Sequence, residues 1–129
     1  MISQSELDGY RRAEELVLAA HHATHGFPRE ADPQLVERLR RIPCAATDSL
    51  LDGCASATAA RRQRLWRQGL TLLEQAGEAI DQAADAGWLP VATTLTLLEI
   101  QSAAVLQLLA LLEDCDTSRK CADPAQRAA

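Results

Sequence analysis

From Leu7 onward, apolar or small side chains recur every three or four residues, and that spacing most limits how the chain can fold. Leu7, Tyr10, Ala13, Val17, Ala20 and Thr24 form the first run. They share one face of an α-helix and would scatter over both faces of a strand. Ser3 and Glu6 have the spacing of a capping box at its start, and Gly26 and Pro28 stop it. Asp32-Pro33 opens a second helix, with a side-chain acceptor at the cap and then a proline where no N–H is needed. Leu35, Leu39, Ile42, Ala46 and Leu50 stripe that helix, and Gly53 reads as its terminator. Ser56 or Thr58 caps a third, striped by Leu65, Gly69, Leu72, Ala76, Ile80 and Ala83 and ended by Gly87. A fourth starts near Pro90 and runs to about Asp114.

Alanine and leucine dominate, while aromatic and β-branched residues are few, which favours helix over strand. A chain of 129 residues suits one domain with a real core. Four helices with short connections fold most simply as an antiparallel up-down-up-down four-helix bundle. The expected layout is a bundle domain over residues 1–114 and a flexible C-terminal tail over 115–129, where periodicity is lost. Pro43 lies well past the first turn of the second helix. It should kink that helix, or break it at Ile42.

The net charge of −5 argues against nonspecific nucleic-acid binding by the whole surface. The charges are nevertheless segregated. Arg40, Arg41, Arg61, Arg62, Arg64 and Arg67 crowd the centre, whereas residues 68–118 hold acidic groups and no Lys or Arg. If the second and third helices are antiparallel, Arg41 should lie level with the arginines that open the third. These six are the candidate nucleic-acid-binding residues.

No basic segment followed by an apolar run marks a secretory signal at the N-terminus. Cys44, Cys54, Cys115 and Cys121 form no CxxC pair. Reduced thiols and a cytoplasmic location are expected, with no metal site and no cofactor. Residues 91–112 are long enough to span a bilayer but contain Glu99, Gln101 and Gln107, so a helix of the protein core, and no membrane, is expected.

Chemistry is scarce. Cys44 has no histidine or carboxylate at a recognisable spacing to act as its base. His21 and His25 sit one helical turn apart, but no HExxH or Glu-x-x-His pattern accompanies them. No Gly-rich phosphate loop and no GxSxG is present. The residues therefore point to a non-enzymatic protein.

The segment YRRAEELVLAAHHATHGFPREADPQLVERLRR, followed by LLDG, resembles the four-helix bundle proteins encoded in 23S rRNA intervening sequences. Phe27, Pro28, Arg29 and Glu30 match that family's Phe-Pro-(Lys/Arg)-Glu. Leu39, Arg40 and Arg41 match its Leu-Arg-Arg, and Gly53 keeps the spacing of a later glycine. Gly87, Trp88 and Leu89 match its Gly-aromatic-Leu turn. The chain departs where the family has a proline and Thr47 stands instead, and in being acidic. The resemblance implies a bundle that assembles as a homopentamer. It also implies kinship with the accessory variability protein of diversity-generating retroelements, which works with a reverse transcriptase and RNA.

Two functions are carried forward. One is an oligomeric interaction or scaffold protein that binds RNA or a nucleoprotein partner through the arginines. The alternative is a small metal- or ligand-binding bundle using His21, His25 and Cys44. For self-assembly, the fourth helix is apolar over more than half its circumference, wider than one bundle needs. Leu97, Ile100, Leu108 and Leu111 are the expected oligomer-interface residues.

Overall fold

In a computed structural model, the chain forms four helices: α1 (Gln4–His25), α2 (Pro33–Cys54), α3 (Ala59–Asp85) and α4 (Val91–Ala128). The backbone is described for residues 2–128 and the side chains for residues 2–116. No strand occurs among the described residues. α1 packs on α2 and α4, and α3 packs on α2 and α4, so the four helices enclose one core as in a four-helix bundle.

The helix starts follow their side-chain caps. Ser3 Oγ accepts from Glu6 N at 3.1 Å, Asp32 Oδ1 from Gln34 N at 3.0 Å, and Thr58 Oγ1 from Arg61 N at 3.3 Å. Ser56, the other candidate cap of α3, instead donates back to Asp52 O. Gly87 closes the α3–α4 connection with φ of 82°, a left-handed conformation that side chains with a Cβ resist.

The α2 stripe is buried as expected at Leu35, Leu39, Ile42, Ala46 and Leu50. In α1 the core position is Leu16, with Val17 only half-buried, and in α3 Trp66 and Leu73 replace Leu65 and Leu72. Each shift is one residue, because two neighbouring apolar residues compete for a single inward position.

Pro43 is buried in the middle of α2, and the helix runs on through it without breaking at Ile42. Thr47 Oγ1 donates to Pro43 O at 2.9 Å. Gly53 does not terminate α2; it lies inside the last turn and faces Trp66. Its missing side chain lets the indole come close against the helix. Trp66 Nε1 then donates to Leu50 O at 3.1 Å.

α4 also continues to Ala128, past the expected end at Asp114. Loss of an apolar stripe removes a reason for burial, not the backbone hydrogen bonds, which propagate easily once a helix is nucleated. The side chains of the expected tail from residue 117 on lie outside the described residues.

A methyl group at position 53 would overlap the Trp66 ring. Gly53→Ala should lower the unfolding free energy by about 1–3 kcal/mol through overpacking. This outweighs the gain of up to about 1 kcal/mol that alanine brings to a helix interior. Urea denaturation followed by tryptophan fluorescence measures the sign.

Candidate functional site

The six candidate arginines do not form one patch. Arg38 Nη1 donates to Gln82 Oε1 at 3.1 Å, which places this part of α2 beside the end of α3. Arg61 lies 21 residues before Gln82 on the same helix, roughly 30 Å away along the axis. Arg41 lines a hollow with Arg38, Leu72, Gln75 and Glu78, far from the start of α3. The expectation that Arg41 sits level with Arg61 is therefore wrong. The error was one of register: α2 and α3 meet at Gly53–Trp66, Gly69–Ala46 and Arg38–Gln82, so Arg41 falls opposite the acidic half of α3.

Each arginine has its own setting. Arg40 Nε donates to Thr24 Oγ1 at 2.8 Å, and Arg41 Nη1 pairs with Glu37 Oε1 at 3.7 Å on the exposed face of α2. Such an exposed pair contributes little to stability. Arg62 donates to Gly53 O at 3.3 Å and Ser56 O at 3.1 Å, with its guanidinium 5.9 Å from the Trp66 ring centre. It satisfies carbonyls at the end of α2 and is part of the frame. Arg61, Arg64 and Arg67 are exposed on the first turns of α3. Arg61 shares a hollow at the α2–α3 turn with Asp52.

The expected interface leucines are corrected as well. Leu97, Leu108 and Leu111 are buried in this chain's own core, and Ile100 is half-buried against it. The large apolar residues α4 leaves outside are Val91, Leu95, Leu106 and Leu109, exposed by 77%, 63%, 67% and 44%. A uniformly apolar helix shows only that some face is in excess. The neighbours decide which: Gln101 Nε2 donates to Leu73 O of α3, and Gln107 Nε2 to Ser5 O of α1. These bonds turn Leu97, Ala104 and Leu108 inward.

The outward face has an order of its own. Val91, Leu95, Leu98, Ser102, Val105, Leu109 and Leu112 recur in steps of four and three, the heptad spacing of a helix seam that meets another helix. Of these, Leu98 and Val105 are half-buried against the core and Leu112 is buried. The segment Val91–Asp116 is also long and apolar enough to cross a membrane.

The rings of His21 and His25 are tilted against each other at 5.3 Å between centres, and His25 Nδ1–H donates to His21 O at 2.8 Å. No group of three or more His, Cys, Asp or Glu side chains that could hold a metal gathers among the described residues. His21 and Cys44 line one groove between α1 and α2 that His25 does not reach.

The free thiols differ. Cys44 is exposed, whereas Cys54 is half-buried at the corner of α2 and α3. Burial, reinforced by the Glu6 carboxylate, pushes the Cys54 thiol up to about 11. At about pH 8, where thiolate governs the rate, iodoacetamide should modify Cys44 well before Cys54. Cys54 should catch up only as the pH nears 11. Peptide mass spectrometry against pH measures this, and equal rates at the lower pH would contradict the closed α2–α3 corner. No protein-family model matches the chain, and no curated protein is significantly similar to it.

Proposed function

We propose that the protein is a non-enzymatic scaffold that assembles with copies of itself through the outer seam of α4. The observation that carries this reading is the row of Val91, Leu95 and Leu109 left exposed beside a core row on the same helix. Two rows on one helix suit two partners, one within the chain and one outside it.

The same reading takes the bundle as antiparallel up-down-up-down. It is supported by the order of the pairings. Residues 38, 46 and 53 of α2 meet 82, 69 and 66 of α3, and residues 63, 69 and 77 of α3 meet 116, 108 and 101 of α4. A bilayer is the rival cover for α4. Glu99 stands exposed in mid-segment, at a cost of about 2.5–3.5 kcal/mol for a central charge on insertion scales. Gln101 and Gln107 tie α4 to α3 and α1, whose outer faces carry charges. A second protein chain suits this helix better, as does a cytoplasmic location. The number five comes from the resemblance to the 23S intervening-sequence family alone.

Light scattering coupled to size exclusion at micromolar concentration should return a homo-oligomer of five chains. The variant Leu95→Lys/Leu109→Lys should lower the mass. A wild-type monomer, or partition into phosphatidylcholine vesicles, would overturn the seam. A dimer or tetramer that the variant dissociates would keep the seam and reject five.

For an RNA or nucleoprotein partner, the reading rests on Arg61, Arg64 and Arg67, which are exposed near a helix N-terminus. Binding to mixed-sequence RNA should weaken steeply with salt. Replacing these three by alanine should flatten the log–log slope by roughly 2–3. Arg40→Ala/Arg41→Ala, at the far end of α2, should leave the slope unchanged. Absence of any RNA binding at low salt would remove this partner and leave the assembly standing.

A further inference from the structure

We infer that the groove between the end of α1 and the start of α2 is a binding site for an apolar molecule carrying one anionic head group. The groove is open to solvent along its length and offers about 830 Å³, within the range of small-molecule sites. It lies apart from the α4 seam and from Arg61, and does not rest on the proposed assembly.

Its walls are apolar: Phe27, Pro28, Ala31, Pro33 and Val36 face it. Phe27 is held from behind by Trp88, with ring centres 6.1 Å apart. The cation at its rim is what selects an anion. Arg40 is half-buried, and the ion pair at the groove is Arg41–Glu37, so Arg40 makes no ion pair among the described residues. Its one hydrogen bond is neutral: Nε donates to Thr24 Oγ1, which itself donates to His21 O. Thr24 is buried, so this chain of bonds fixes the guanidinium plane at the groove edge. A guanidinium has five N–H donors; the terminal ones have no protein acceptor among the described residues.

A partly desolvated cation without a counter-charge is unfavourable, and an anion that brings its own apolar body relieves it while covering the walls. Glu37 and Arg41 neutralise each other at one side of the groove. Arg29, exposed at the groove, adds positive charge. Two cations therefore remain unbalanced, which suits a carboxylate, sulfonate or phosphate ester better than a neutral or cationic compound.

The probes are 1-anilinonaphthalene-8-sulfonate, which has an aromatic body and one anionic head, and N-phenyl-1-naphthylamine, which lacks the head. The full chain should bind the sulfonate with one site per chain, and decanoate but not decanol should displace it. Amide shifts in the wild-type protein should concentrate at residues 24–44. Arg40→Met should weaken sulfonate binding by about tenfold, the worth of one charge-assisted hydrogen bond, and leave the neutral probe unaffected. Val36→Trp, which fills the groove one helical turn from Arg40, should weaken both. Shifts confined to α4, or loss of binding in Leu95→Lys/Leu109→Lys but not in Val36→Trp, would place the dye on the leucines and overturn the site. So would equal affinity for the two probes, or no binding at all.

Discussion

The contact of Trp66 with Gly53 sets the register on which the rest of the fold depends. An indole is among the largest groups a core can hold, and it enters the α2–α3 interface because position 53 has no side chain. Its N–H finds the Leu50 carbonyl, contributing about 1 kcal/mol net and avoiding a larger penalty for an unpaired buried donor. Arg62 spans the same corner, near the ring and bonded to the carbonyls of Gly53 and Ser56. With this end pinned, every level along α2 and α3 follows. Gly69 lies against Ala46 and Ser49, and Gln82 reaches Arg38.

That register decides the electrostatics. The basic start of α3 lies beside the α2–α3 turn, while Arg40 and Arg41 are carried to the opposite end. There, Glu78 faces Arg41 across a hollow, and Arg40 turns towards α1. One cluster of arginines in the chain thus becomes two in space, with different neighbours. One group is exposed on a helix N-terminus; the other borders an apolar groove.

α4 shows how a single helix can serve two packings. Its inward row contains Leu97, Ala104, Leu108 and Leu111, all nearly inaccessible. Burial of each leucine contributes about 1.5–3 kcal/mol relative to exposure. Its outward row stays exposed at Val91, Leu95 and Leu109. Gln101 and Gln107 keep the two rows from exchanging places, since a rotation of α4 would strip both amides of their carbonyl partners.

The sequence by itself determined the helices, their caps and most of the α2 core face. Those depend on spacing along one strand of chain and on side chains reaching backbone groups two or three residues away, as at Ser3, Asp32 and Thr58. Even the excess of leucine on α4 was legible, because its circumference can be counted. Which leucines are inside was not: Leu97, Leu108 and Leu111 differ from Leu95, Leu106 and Leu109 only in what stands opposite them. Gly53 likewise reads as a helix end along the chain and is a seat for Trp66 in the fold. The division of the arginines and the groove beside Arg40 were also decided by the tertiary structure alone. The first arises from residues far apart in the chain, whose register a local pattern does not encode; the second comes from how the end of α1, the connecting turn and the start of α2 pack, with Phe27 set against the distant Trp88.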